Sequence, residues 1–265
     1  MWKLPFNLFN SSVVASPTDT TTTSNPNDIV QAPSSSNLSS FSLVNSSNQN
    51  NSTLNSKTPA MVQLQGPIED FRILIILDAS GSMSDIRQDM IGSINEFLVK
   101  QKQASEEQKQ IMRLTMVQFN DNVKYVKTEV DLNQVQPVTA TDYQVTGNTA
   151  LYDAIGNIIT GFQDCPNVSC VIVTDGQENS SRTYTHHQII QLIEQQKTKY
   201  NWDFIYMSQD ANGFKQGTSL GVTSNFVCSK SNFGETLSNG ISNTIIAKSA
   251  TTNVFKSTQK PQHTS

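Results

Sequence analysis

The chain has 265 residues, 36% hydrophobic and 15% charged, both low for one globular domain of that length, so part of it is expected to build no core. Its formal net charge of −4 resides wholly after residue 66, because Lys3, Asp19, Asp28 and Lys57 cancel before that point. This balance argues against a nucleic-acid partner held by general electrostatics, and no run approaches the ≈ 18 apolar residues of a membrane span, so a soluble protein is expected.

Residues 1–66 are dominated by Ser, Thr, Asn, Gln and Pro. They lack the apolar side chains for a core and are read as a disordered, low-complexity tether, followed by a folded domain over 67–250 and a flexible tail over 251–265. Residues 1–10 hold one basic residue, but Pro5, Asn7 and Asn10 interrupt what would be the apolar core of a signal peptide. Trp2, Phe6 and Phe9 in the same stretch fit either a short docking peptide or an idle terminus.

From residue 70 the pattern alternates strand and helix. Residues 73–77, Ile-Leu-Ile-Ile-Leu, are apolar on both faces, as in a central parallel strand covered by helices. Met90, Ile91, Ile94, Phe97 and Leu98 then form one helical stripe. Residues 114–119 and 123–129, separated by Asn120-Asp121-Asn122, predict an antiparallel strand pair at a sheet edge. A second stripe, Leu151, Ile155, Ile158, Ile159 and Phe162, precedes a strand over 171–174. Thr185 and Gln188 have capping-box spacing for a helix through Ile189, Ile190 and Ile193, which accounts for His186 and His187 without a metal. Strands over 202–207 and 222–228 and a closing helix over about 233–250 complete the pattern. Repeated β-α units of this kind predict a doubly wound α/β sheet with helices on both faces. Cys165, Cys170 and Cys228 are odd in number and lack metal-ligand spacing. Cys170 and Cys228 are expected in buried strands, as free thiols of a reducing compartment.

Directly behind the first strand stands Asp78-Ala79-Ser80-Gly81-Ser82. A carboxylate and two hydroxyls at i, i+2 and i+4 would face one way on an extended loop. Such oxygens suit a hard cation, Mg²⁺ best, with Mn²⁺ and Ca²⁺ as alternatives. The plainer reading is an Asp/Ser turn in which Ser82 or Ser84 caps the following helix, and the two readings are compatible. Two later positions extend the set: Thr149, just before the second helical stripe, and Asp175, at the end of the strand over 171–174.

Asp78, Ser80, Ser82, Thr149 and Asp175 together match D-x-S-x-S, then T, then D, and over about residues 70–250 the chain resembles the von Willebrand factor A (VWA) domain family with its metal-ion-dependent adhesion site. The resemblance implies a Rossmann-like, mostly parallel sheet with one antiparallel edge strand. It also implies a divalent cation held by these five residues and a protein partner that supplies a Glu or Asp as the sixth ligand. The loop surface around the ion would come from residues 142–146, 177–184 and 209–215. The stretch over 175–182 is similar to small intracellular bacterial and bacteriophage members, which implies the cytoplasm, including that of a phage-infected cell. Two rival readings stand beside the binding module. One is a subunit that docks an ATPase in a chelatase-type assembly. The other is a Mg²⁺-dependent phosphoryl-transfer enzyme, which is disfavoured because Ser80 stands where a second acid would follow an aspartyl nucleophile and because no P-loop or catalytic triad is present. A non-enzymatic role is therefore expected.

Overall fold

The apolar run behind Asp78 forms the central strand of a sheet. In the computed structural model, residues 70–258 are described, with side chains to residue 254. The expected tether over 1–66, with Trp2, Phe6 and Phe9, lies outside the described residues, as does the end of the expected tail. Among the described residues β1 (Phe71–Asp78), β2 (Met112–Phe119), β3 (Val123–Asp131), β4 (Val168–Val173), β5 (Asp203–Ser208) and β6 (Ser224–Val227) form one sheet. Its order is β3-β2-β1-β4-β5-β6. Every pairing is parallel except β2 with β3, which is antiparallel and leaves β3 as an edge strand.

Alternation along the strands sorts the core into two layers. From β1, Ile73, Ile75 and Leu77 face one side and Leu74 and Ile76 the other. The first layer packs on α1 (Arg87–Gln108), whose Met90, Ile91, Ile94, Phe97 and Leu98 are all buried as the spacing predicted. It is closed by α5 (Phe233–Glu235), a π-helical stretch (Thr236–Ile241) and α6 (Ser242–Thr258), through Phe233, Leu237, Ile241 and Ile245. The second layer packs on α2 (Leu151–Phe162) and α3 (His186–Tyr200). Side chains such as Ile76, 0% exposed, are gripped on all sides, so Ile76→Ala would cost about 2–5 kcal/mol through the cavity it leaves. The capping box forms as expected, with the Thr185 hydroxyl accepting from the Gln188 N–H and the Gln188 side chain accepting from the Thr185 N–H.

Four local expectations change. Residues 211–215 are not loop but the first part of α4 (Ala211–Ser219), opened by the Asp210 carboxylate, which accepts from the N–H groups of Asn212 and Gly213. Cys228 lies just past β6 and is half-buried, while Cys170 is fully buried in β4. The closing helix continues past residue 250 to Thr258, since Thr252 is buried and Asn253 Nδ2 donates to the Gln108 carbonyl. The segment after Asp78 is a 3-10 turn (Gly81–Ile86) ahead of α1, and neither it nor α1 has a side-chain cap. Among the described residues no helix is long and apolar enough to cross a membrane.

Candidate metal centre at the ends of β1 and β4

In the observed order, β1 is flanked by β2 on one side and β4 on the other, so the strand order reverses between β1 and β4. Chains leaving such neighbours turn to opposite faces and open a crevice at their carboxyl ends. Asp78 is the last residue of β1 and Asp175 follows two residues after the end of β4. Both expected acids therefore stand at the crevice.

The turn after β1 folds around its own carboxylate. The Ser80 N–H donates to Asp78 Oδ1 at 2.7 Å, and Ser80 has extended backbone before the chain tightens into the 3-10 turn. Ser80 Oγ and Ser82 Oγ are 3.0 Å apart, and Ser82 Oγ donates to Asp175 Oδ1 at 2.6 Å. The Ser82 hydroxyl is thus turned across the crevice instead of capping a helix. Thr149 joins from the third segment. A Cβ placed on Gly176 would stand 3.2 Å from Thr149 Oγ1, 3.7 Å from Ser82 Oγ and 3.8 Å from Asp78 Oδ2. Oxygens of three separate loops therefore surround one small space, which glycine leaves free. All five residues singled out in the sequence are brought together.

Several side chains that the motif does not contain hold this arrangement. Thr174 Oγ1 donates to Asp78 Oδ2 at 2.5 Å, and the buried Tyr143 hydroxyl donates to the Asp78 carbonyl at 2.6 Å. The Thr149 loop is pinned from both sides: Gly81 N–H donates to the Gly147 carbonyl, while Asp121 accepts from the Asn148 backbone and side chain. Gly147 has φ +78°, a backbone conformation that favours glycine, and a Cβ there would also run into the Asp121 carboxylate. The start of α2 lacks its own cap and borrows one from the Asp175 loop. Glu178 accepts from the Tyr152 N–H, Ser181 from the Asp153 N–H, and Asn179 from the Thr149 N–H. These orphan amides tie the Thr149 and Asp175 segments into one unit. His186 has no part in it, pairing instead with Ser219 Oγ at 2.9 Å and packing on Tyr152.

The electrostatics are uneven. Asp78 is 0% exposed, and burial raises its pKa against the lowering effect of hydrogen bonds from Thr174 and Ser80. Burial also pushes the Tyr143 phenol far up, with the Asp78 charge adding to the effect, so Tyr143 stays a neutral donor. Among the described residues no basic side chain pairs with Asp78, whereas Lys230 Nζ lies 3.9 Å from Asp175 Oδ2. Buried carboxylates are ordinarily neutralised, paired or bound to a metal. Among the described residues no three His, Cys, Asp or Glu side chains cluster as metal ligands. The donors here are two carboxylates and three hydroxyls, an all-oxygen set that fits Mg²⁺, Mn²⁺ or Ca²⁺ better than a thiophilic or imidazole-seeking ion.

No sequence-family profile matches the chain, and no curated protein matches it. Solved structures do. The PilB minor pilin of Streptococcus sanguinis aligns at 13% identity over 69% of this chain and 62% of that one, with a TM-score of 0.53. The vWF domain of the type V pili tip protein Mfa5 of Porphyromonas gingivalis aligns at 10% identity over 75% of this chain and 99% of that one, TM-score 0.49. A von Willebrand factor type A protein of Catenulispora acidiphila aligns at 15% identity over 67% of this chain and 43% of that one, TM-score 0.48. The chain spans less than two thirds of the length of several of the structures it matches, among them the PilB minor pilin and the Catenulispora acidiphila protein. With its sheet order, antiparallel edge strand and helices on both faces, the chain has a doubly wound, Rossmann-type α/β fold, which it shares with the PilB minor pilin.

Proposed function

We propose that this is a metal-dependent protein-binding module, in which Asp78, Ser80, Ser82, Thr149 and Asp175 hold a divalent cation and an acidic side chain of a partner completes its coordination. The observation that carries the reading is the space beside Gly176, bounded by Thr149 Oγ1, Ser82 Oγ and Asp78 Oδ2, with Ser80 and Asp175 hydrogen-bonded to or through Ser82. Mg²⁺ is the proposed ion, since it accepts few carboxylates and keeps positions for water or a partner's oxygen. When bound it would supply a charge-assisted, directional contact to a carboxylate. The chain's own residues do the rest. Thr174 and Tyr143 fix the Asp78 carboxylate and carbonyl, and Glu178, Asn179 and Ser181 hold the Thr149 segment at the crevice. The loops over 142–146 and 177–184 and the first turn of α4 are the proposed surface that contacts the partner around the ion. The cytoplasm is the proposed compartment, supported by the free thiols of Cys170 and Cys228.

The test is capture of a partner from native host lysate by wild type in Mg²⁺, wild type in EDTA, and Asp175→Ala in Mg²⁺. A protein held only by metal-loaded wild type, and released by a Glu-to-Gln change in its own contact segment, is the expected result. Capture indifferent to chelation and to Asp175→Ala would refute the bridging role. Thr149→Ala adds a finer check: it should weaken capture more than it lowers thermal stability.

A further inference from the structure

Lys230 is the basic side chain that reaches the candidate centre, and the five-residue motif does not contain it. Its Nζ lies 3.9 Å from Asp175 Oδ2 and 3.5 Å from Asp85 Oδ2. The three groups come from separate segments: the short turn Lys230–Asn232 after β6, the 3-10 turn Gly81–Ile86, and the end of β4. The Asp175 side chain is 1% exposed, that of Lys230 43% and that of Asp85 79%. The ammonium thus stands at the mouth of the crevice, with a shielded carboxylate beneath it and a solvent-screened one beside it. Screening makes the Asp85 contact the weaker of the two.

Counting formal charge shows what Lys230 changes. Ser80, Ser82 and Thr149 are neutral, and Asp78 and Asp175 together carry two negative charges. A divalent cation among them makes a formally neutral centre, which has little long-range preference for an anionic ligand over a neutral one. Lys230 adds one positive charge at the mouth of the crevice, which Asp85, 79% exposed and screened by solvent, offsets only in part. We propose that Lys230 is the specificity-determining residue of this site, its ammonium weakening the centre's hold on the divalent cation while making the loaded centre select a carboxylate ligand. This rests on the cation-site reading above. A single charge acting from the mouth of the crevice in a half-solvated setting changes each affinity by about three- to tenfold. The two changes have opposite signs, which a merely structural lysine would not produce.

Lys230→Gln tests this, because it keeps a polar side chain of similar reach and removes only the charge. Cation affinity is read by calorimetric titration with Mg²⁺. Carboxylate affinity is read from the broadening of the acetate methyl resonance by Mn²⁺, with protein in excess so that the metal is protein-bound. The expected result is Mg²⁺ binding about three- to tenfold tighter than wild type and acetate broadening reduced by a similar factor, with Lys230→Arg behaving like wild type in both. Mg²⁺ binding with an unchanged acetate response in Lys230→Gln overturns the role of Lys230 and leaves the cation site standing. Loss of both affinities together with a lowered thermal midpoint overturns it in favour of a structural part. A wild-type chain that binds no Mg²⁺ overturns the cation site itself, and the Lys230 proposal with it.

Discussion

Gly176→Ala separates binding from folding at the proposed site. The added methyl would lie 3.2 Å from Thr149 Oγ1, closer than ordinary contact by a few tenths of an ångström, and at normal contact distance from Ser82 Oγ and Asp78 Oδ2. Gly176 is not in the left-handed region, so alanine adds no backbone strain there and gains about 0.4–1 kcal/mol by restricting the unfolded chain. That roughly offsets about 1 kcal/mol of crowding at Thr149, and the metal-free variant should unfold within about 3 °C of wild type. The cation is another matter, because the methyl fills the space between three of its proposed ligands. At a concentration about 100 times its dissociation constant, a bound ion stabilises the native state by about 2.7 kcal/mol. For about 190 described residues that is a rise of about 5–10 °C in the unfolding midpoint. Thermal unfolding followed by circular dichroism, in EDTA and in Mg²⁺, should show this rise in wild type and its loss in Gly176→Ala. A full Mg²⁺-dependent rise in the variant would refute the inference that these oxygens share one ligand.

Other consequences follow from single contacts. Tyr143→Phe removes the donor to the Asp78 carbonyl from a side chain 1% exposed, and should lower unfolding free energy by about 0.5–1.5 kcal/mol in denaturant titration; no change would mean that the bond is not formed in solution. Burial raises the Cys170 thiol far above its ordinary value, so iodoacetamide should modify it only at the rate of unfolding, and rapid native labelling of Cys170 would contradict its place in β4. The Asp142 carboxyl is held below its ordinary value by the Thr139 hydroxyl and N–H, both at 2.8 Å. A depressed native value means a contribution present above the unfolded pKa of about 3.9 and lost as pH falls through the native value. The stability gap between wild type and Asp142→Leu, measured in EDTA, should therefore be constant above about pH 5 and shrink below about pH 4. A gap unchanged down to about pH 3 would exclude that pairing.

What could be read from the sequence was whatever repeats with a period or ends a strand. The run over 73–77 and the stripes beginning at Met90 and Leu151 signal their burial because sheet and helix geometry impose a period of 2 or 3.6 on apolar residues. Asp78 and Asp175 were legible because each follows such a run, where a carboxylate cannot belong to the core. Elements without an apolar stripe were hidden. The buried residues of α4 are Gly213 and Gly217, which carry no hydrophobic signal, and only Asp210 marked its start. Contacts between distant segments were hidden as well. Thr174 looks like one more strand residue until its hydroxyl is seen on Asp78, and Lys230 lies in a run of Ser and Asn with no period. The missing cap of α2 is the clearest case. Its partners, Glu178 and Ser181, lie on another loop that meets Tyr152 and Asp153 only after the sheet has formed.

The measurement that bears most directly on the central claim is an anomalous difference map from crystals of the full chain grown in Mn²⁺, collected on both sides of the metal's absorption edge. The account predicts one strong peak at the carboxyl ends of β1 and β4, within about 2–2.5 Å of oxygens from Asp78, Ser80, Ser82 or Thr149 and absent from Gly176→Ala crystals. A map with no peak in that crevice at saturating Mn²⁺, or with the ion bound elsewhere, would contradict it.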